Sequence, residues 1–167
     1  WATHGEPSAV NAHPHYSSSK NLAMIHNGII ENYADIKKNL ISKGVEFKSE
    51  TDTEVLVQLI EYIQVKKELD LLTAVQVALR QVIGAYAIAI LDKRNPNQII
   101  AARKQSPLVV GIGKDGEFYL GSDASPIIEY TDKVVYLEDG NIAVMRLGEE
   151  LQVVNSQNVK LNPEVQT

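Results

Sequence analysis

Two short stretches of this sequence carry residue types that together could stabilise a reacting carbonyl group. The first is Asn27-Gly28, which follows the apolar run Leu22–His26. Because Asn-Gly favours a turn with positive φ, we expect this run to be a strand that stops at the pair. Such a turn can direct the side-chain amide of Asn27 and the backbone N–H of Gly28 to one point. Two neutral donors that converge on a point are what an oxyanion hole requires.

The second stretch is Ser49–Glu54, where Asp52 comes at the expected start of a helix. Thr51 and Glu54 match the capping-box pattern, in which Thr51 is the N-cap and Glu54 reaches back to it. A carboxylate at this place could bind the ammonium group of a small zwitterionic substrate. Both stretches also have purely structural interpretations, because Asn-Gly is a common turn dipeptide and a capping box needs no ligand.

The histidines are a third candidate, since three of the four lie in the irregular segment Trp1–Tyr16. His4, His13 and His15 could be metal ligands. The sequence has no HExxH-type spacing, however, and no carboxylate at a ligand-like offset. We therefore expect no metal, and loop histidines held by backbone hydrogen bonds.

Composition narrows the function classes. The length of 167 residues suggests one domain. The net charge of −5 and the pI near 5.4 argue against binding to nucleic acid or to an anionic membrane surface. No long apolar run or leader sequence is visible, so a cytoplasmic location is expected. The sequence contains no cysteine, which excludes disulfides and thiolate metal sites within these residues.

Helices are predicted early in the chain and strands late. One helix opens at Asn32 and closes at Gly44, another begins at Thr51, and a third covers about Leu71 to Val82. Gly84–Leu91 is apolar on both faces, which predicts a strand covered on both sides, with small alanines on one face. Short strands with short connections follow, which implies antiparallel hairpins. The predicted fold class is a layered α+β sandwich.

Four motifs in one order are more specific than their parts. They are Trp1–Pro7 (WATHGEP), Asn11–His15 (NAHPH), His26–Asn32 (HNGIIEN) and Ser49–Glu54 (SETDTE). The pattern resembles the glutaminase domain of class II glutamine amidotransferases, and it continues through Gly121–Asp123, so that it covers nearly the whole chain. The HGEP and NAHPH forms are more similar to the amino-sugar branch of that family than to amidophosphoribosyltransferase, asparagine synthetase or glutamate synthase.

The resemblance implies a fold and a reaction. The family fold is the N-terminal-nucleophile hydrolase αββα four-layer sandwich, with antiparallel sheets between helical layers, here expected to be incomplete at the N-terminus. In the family an N-terminal cysteine, with its own α-amine as general base, attacks the side-chain amide of glutamine. Ammonia leaves, and water then releases glutamate. No cofactor is implied.

The resemblance also implies roles for six residues. Asn27 matches the oxyanion-hole asparagine, Gly28 its backbone donor, and Asp52 the acid that pairs with the substrate α-ammonium. The segment Trp1–Pro7 matches a mobile loop that closes over glutamine, with Thr3 and His4 near the substrate carboxylate and Trp1 as a lid residue. Closure would exclude water and limit loss of ammonia.

The chain departs from the family pattern at both ends. Since there is no cysteine and the chain begins at Trp1, we expect residues 1–167 to be a fragment of a class II glutaminase domain. The nucleophile, early strands and a carboxylate-binding arginine would lie upstream, and the sugar isomerase domain beyond Thr167. Unpaired sheet edges would then favour self-association, so a homo-oligomer is expected.

Three functions stay open. The leading one is hydrolysis of glutamine to supply ammonia to a sugar-phosphate isomerase domain of the parent chain, for amino-sugar phosphate synthesis. The second is another class II amidotransferase, similar to amidophosphoribosyltransferase. The third is a non-catalytic glutamine-binding or scaffold module. The expected partners are L-glutamine and the isomerase domain, without nucleic acid or membrane.

The lack of a cysteine generates a first prediction. The purified 167-residue chain should release no glutamate from glutamine, because no residue in it matches the nucleophile of the family. A coupled glutamate assay against a buffer blank measures this, and release above the blank would contradict it.

Overall fold

The computed structural model describes residues 14–155, 157 and 159–167. Within this part of the chain the helices are α1 (Tyr33–Ser42), α2 (Asp52–Lys66) and α3 (Leu71–Leu79). The strands are β1 (His15–Tyr16), β2 (Leu22–Ile30), β3 (Gly84–Asp92), β4 (Gln98–Lys104), β5 (Val109–Ile112), β6 (Phe118–Gly121), β7 (Val134–Tyr136), β8 (Ile142–Arg146), β9 (Gln152–Val154) and β10 (Lys160–Leu161). None of the described helices is long and apolar enough to cross a membrane.

The strands form two sheets. The main sheet has the order β1-β2-β3-β4-β8-β9-β10, and the small sheet has the order β6-β5-β7. Neighbouring strands pair antiparallel throughout. The predicted hairpins form between β3 and β4, between β5 and β6, and between β8 and β9. By contrast, β4 pairs with the distant β8, and β7 pairs with β5. The sequence did not predict β1 and β10, because a strand of two residues is too short to show an alternating pattern.

The main sheet is covered on both faces, as predicted for β3. On one face Tyr86, Ile88 and Ile90 pack in the core with the three helices. On the other face Ala87, Ala101 and Ala143 pack with residues of the small sheet. The alanines leave room for the small sheet to approach closely, while the bulky residues of alternate positions fill the space below the helices.

The outer face of the small sheet carries a separate apolar cluster. Ile127 packs there with Val109 of β5 and Val134 of β7. Ile127 belongs to the turn segment 122–131, which follows β6 and crosses this face. The described layers are therefore helices, main sheet, small sheet and this covering segment.

One expectation about β2 is wrong. The strand does not stop at Asn27-Gly28 but continues to Ile30, in unbroken register with β3. The pairing of nine consecutive residues outweighs the turn preference of one dipeptide. Gly28 keeps the positive φ that the dipeptide predicts, at +112°, but it does so inside a strand.

The predicted helix boundaries are largely confirmed. Gly44 follows α1 with φ of +92° and donates its N–H to the carbonyl of Ile41, as a glycine after a helix does. The third helix is shorter than predicted and ends at Leu79. Val82 lies beyond the helix and donates its N–H to the carbonyl of Leu79, because the chain must leave the helix before it enters β3.

The close contact between β2 and β3 yields a stability prediction. At Gly84, with φ of +133°, a β-carbon would lie 2.2 Å from the carbonyl oxygen of Ile29. We expect Gly84→Ala to lower the free energy of unfolding by about 3 kcal/mol, because backbone strain and a clash add. Gly140 is the matched control, since its φ is +83° but no atom lies within 4 Å of the β-carbon position. Gly140→Ala should cost about 1 kcal/mol, and equal losses in urea denaturation would contradict the role of the contact.

Candidate active site

The peptide groups of β2 alternate between two directions. At the ends of the ladder Glu31 N–H donates to the Ile83 carbonyl and Lys93 N–H donates to the Asn21 carbonyl, each at 2.8 Å. In an antiparallel pair with unbroken register, every second residue then bonds to the neighbouring strand. The odd-numbered residues of β2 therefore bond to β3. The N–H of Gly28 points the other way, to the edge of β2 on which β1 pairs.

Asp52 lies on that same edge. Its Oδ2 accepts a hydrogen bond of 2.8 Å from the backbone N–H of Ile30, and its side chain is buried. Ile30 is two residues beyond Gly28, so their nitrogens are about 7 Å apart along the strand. The fold thus brings the predicted acid and the predicted backbone donor to the same strand edge.

The start of α2 positions Asp52. Thr51 is the N-cap as predicted, because its Oγ1 accepts from the N–H of Glu54 at 3.3 Å. The other half of the capping box is wrong. The carboxylate of Glu54 accepts from the N–H groups of Ser49 at 2.6 Å and Lys48 at 2.9 Å, because the preceding loop folds back over the helix start. Glu54 is buried and fixes this loop.

Two histidines contact the same helix start. His26 Nδ1 lies 3.1 Å from Thr53 Oγ1 and 4.0 Å from Asp52 Oδ1. His15 Nε2 lies 3.1 Å from Thr51 Oγ1. His15 belongs to β1, so the expectation that it lies in a loop is wrong. Sequence reasoning missed His26, although its place two residues after the inward-facing Met24 indicates the helix side of the sheet.

A metal centre has no support in the described residues. No group of three or more His, Asp or Glu side chains among them is arranged to hold an ion. His4 and His13 lie outside the described residues.

Asn27 projects from the other face of β2. Its side chain is exposed and lies at a cavity of about 370 Å³, which Ala87, Pro107 and Leu108 also line. The two groups are therefore placed by the strand and not by a turn. The side-chain amide of Asn27 lies on the face of the sheet, and the backbone N–H of Gly28 lies on the edge of β2. Trp1, Thr3 and His4, the predicted lid and carboxylate contacts, lie outside the described residues.

The surroundings of Gly28 leave no space for a side chain. A β-carbon there would lie 2.3 Å from the Ala85 carbonyl oxygen and 2.9 Å from Ser106 Oγ. Tyr86 pairs with Gly28 across the strands. Burial raises the pKa of the Tyr86 phenol, and the Asp139 carboxylate raises it further, so this group stays protonated at neutral pH. Sequence reasoning did not identify Ser106 as a neighbour of Gly28.

Comparison with known proteins defines the class. A family model described as a glutamine amidotransferase domain matches residues 6–129, which is most of the chain. The chain therefore belongs to the glutamine amidotransferase domain family. The resemblance that the four motifs indicated is confirmed.

Named relatives specify the branch. The chain is 72% identical over 165 residues to the glutamine–fructose-6-phosphate aminotransferase (isomerizing) of Bacteroides thetaiotaomicron, covering 99% of this chain and 27% of the relative. It is 56% identical over 146 residues to the enzyme of the same name from Chlorobaculum tepidum, covering 87% and 24%. The chain thus spans about a quarter of the length of these curated relatives.

Solved structures confirm the fold class. Glutamine phosphoribosylpyrophosphate amidotransferase from B. subtilis, complexed with ADP and GMP, is similar with a TM-score of 0.69 and 25% identity, over 81% of this chain and 29% of that one. A structure of the allosteric regulatory enzyme of purine biosynthesis gives a TM-score of 0.71 and 26% identity, over 88% and 31%. The fold is that of the N-terminal-nucleophile hydrolase amidotransferases.

The buried carboxylate of Glu54 leads to a testable prediction. We expect Glu54→Gln to lower the free energy of unfolding by about 2 kcal/mol, because charge-assisted hydrogen bonds to two backbone N–H groups are replaced by weaker ones. Asp70→Asn is the control, since Asp70 caps the exposed start of α3 and asparagine caps equally well. Chemical denaturation of both variants measures the difference, and equal stability would contradict this account of Glu54.

Proposed function

We propose that this chain is part of a glutaminase domain that binds L-glutamine and supplies ammonia for glucosamine 6-phosphate synthesis, as part of a glutamine–fructose-6-phosphate aminotransferase. The observation that carries the proposal is the common edge of β2. The Gly28 N–H points to this edge, and the Asp52 carboxylate is bonded to it two residues further on.

The dimensions of the edge suit glutamine. Four bonds of about 1.5 Å separate the α-nitrogen of glutamine from its amide carbon, which spans about 5 Å. The Gly28 and Ile30 nitrogens are about 7 Å apart. The carboxamide oxygen lies one bond of about 1.2 Å beyond the amide carbon, so the span from the α-nitrogen to this oxygen is of comparable length. One glutamine can therefore place its ammonium group at Asp52 and its carboxamide oxygen at Gly28.

The proposed chemistry of these residues is binding and charge stabilisation. The oxygen of the carboxamide becomes negative when the carbon is attacked, and the N–H of Gly28 with the amide of Asn27 would stabilise that charge. Asp52 would orient the substrate by a charge-assisted hydrogen bond. Thr3 and His4 would contact the substrate carboxylate, and Trp1 would cover it. Nucleophilic attack is not assigned to any of the 167 residues, which contain no cysteine.

The relatives support a proposal about the partners. Because the matched segment is 27% of the Bacteroides protein, we propose that residues 1–167 are a glutaminase-domain fragment and that a sugar-phosphate isomerase domain of the parent chain receives the ammonia. Homo-oligomerisation and a cytoplasmic location remain predictions.

Two alternatives remain testable. The fold similarity to phosphoribosylpyrophosphate amidotransferase favours the alternative that the chain is part of another class II amidotransferase. The identity to that structure is 25%, however, which is far below the 72% shared with the Bacteroides relative. A scaffold module could use Asp52 to position the start of α2 through its bond to Ile30, but it would not need the Gly28 backbone donor to point to the same edge.

A chimeric protein tests the proposal. The 165 matched residues of the Bacteroides relative are replaced by the corresponding residues of this chain, so that the remainder of the enzyme comes from the relative. We expect glutamine-dependent release of glutamate and formation of glucosamine 6-phosphate at rates within about tenfold of those of the parent enzyme. The reason is that the residues of this chain replace a segment of similar sequence, and conservative replacements are well tolerated. A folded chimera that releases no glutamate would support the scaffold interpretation.

Within the active chimera, Asp52→Asn separates binding from folding. Asparagine keeps an oxygen for the Ile30 N–H but loses the charge that pairs with an ammonium group. We expect the KM for glutamine to rise about 30- to 150-fold, the equivalent of about 2–3 kcal/mol for a charged hydrogen bond. The KM for fructose 6-phosphate should not change. Asp35→Asn, in the exposed first turn of α1, is the control, and an unchanged glutamine KM in Asp52→Asn would contradict the assignment.

A further inference from the structure

We propose that His26 is a positioning residue for substrate binding, which acts through Thr53 to hold the Asp52 carboxylate at the point where the ammonium group of glutamine binds. The inference rests on the proposed function and deepens it, because it names the side chain that sets the place of Asp52 relative to Gly28. No contact with the reacting carboxamide is assigned to His26.

The start of α2 is attached to β2 at two points. The Ile30 N–H donates to Asp52 Oδ2 at 2.8 Å, and Nδ1 of the His26 imidazole is hydrogen-bonded to Thr53 Oγ1 at 3.1 Å. His26 and Ile30 are four residues apart, which is about 13 Å along a strand, and Gly28 lies midway between them. The two attachments therefore fix where Asp52 lies relative to the Gly28 N–H.

The inward-facing positions of β2 indicate that packing alone does not require a histidine at residue 26. Leu22, Met24 and Ile30 are apolar and buried, and Ile88 of the same core pairs with His26 from β3. A buried imidazole among such neighbours costs free energy unless it is hydrogen-bonded. An apolar side chain could fill the position without that cost, but it could not bond to the residue next to Asp52.

A binding site for an ammonium group needs a carboxylate in a fixed place. Nδ1 of His26 lies 4.0 Å from Asp52 Oδ1, which is too far for a hydrogen bond, so we assign the positioning to the contact with Thr53. Loss of this contact would let the first turn of α2 shift against β2. Because glutamine must reach both Asp52 and Gly28, even a small shift of the helix start weakens its binding.

A double-mutant cycle in the active chimera tests the assignment. In His26→Leu we expect kcat/KM for glutamine to fall about three- to tenfold, the range for one lost hydrogen bond. In a chimera that already carries Asp52→Asn, the same substitution should change kcat/KM by less than about twofold, because the carboxylate that His26 positions is already gone. A residue with a general structural role would lower kcat/KM by the same factor in both backgrounds.

Further variants separate the hydrogen bond from the volume of the ring. His26→Asn places a polar atom as many bonds from the backbone as Nδ1, so kcat/KM should stay within about twofold of the unsubstituted chimera. Thr53→Val removes the other partner of the bond and should reproduce the loss, and it decides the test if His26→Leu does not fold. Thr131→Val is the matched control, because it removes a hydroxyl that donates to the Ile112 carbonyl far from the site, and it should leave kcat/KM unchanged.

Each outcome decides between the two proposals. Equal losses from His26→Leu with and without Asp52→Asn would overturn the role of His26, and so would an unchanged kcat/KM in both His26→Leu and Thr53→Val. A loss in His26→Asn as large as that in His26→Leu would assign the effect to ring packing and overturn it as well. If the unsubstituted chimera releases no glutamate, or if Asp52→Asn leaves the glutamine KM unchanged, the proposed function is refuted instead.

Discussion

The hydrogen bond from the Ile30 N–H to the Asp52 carboxylate joins the two halves of the candidate site. It connects the end of β2 to the first residue of α2, and both groups are buried. A buried carboxylate is costly unless its oxygens find donors, so this contact sets the position of the helix start against the strand edge. The loop held by Glu54 then supports the helix start from the outside.

The packing of the two sheets places the other part of the site. Ala89 of β3, Ala101 of β4 and Ala143 of β8 face each other in register across the main sheet. Because these side chains are small, the small sheet can lie close to the main sheet. The segment between β4 and β5 crosses from one sheet to the other, and it carries Ser106 to within contact of Gly28. The close packing of the two sheets therefore also determines which residues lie beside Gly28.

Gly28 has to be a glycine for a reason that the predicted turn did not include. The dipeptide pattern correctly predicted a positive φ but attributed it to a turn. In the structure the residue stays in the ladder, and its missing side chain allows the Ala85 carbonyl and the Ser106 hydroxyl to approach. The local sequence thus indicated the backbone conformation of Gly28, while pairing with β3 determined that this conformation occurs inside a strand.

The sequence by itself determined the α+β class, the three helices, the doubly covered strand β3 and, through its motifs, the family. These features depend on periodicity, cap residues and residue order, which are local. Only the tertiary structure decided that Asp52 and Gly28 share one strand edge, that His26 contacts Thr53, and that Ser106 lies beside the site. Contacts of this kind depend on strand register and sheet packing between residues far apart in the chain, and no local pattern in the sequence encodes those distances.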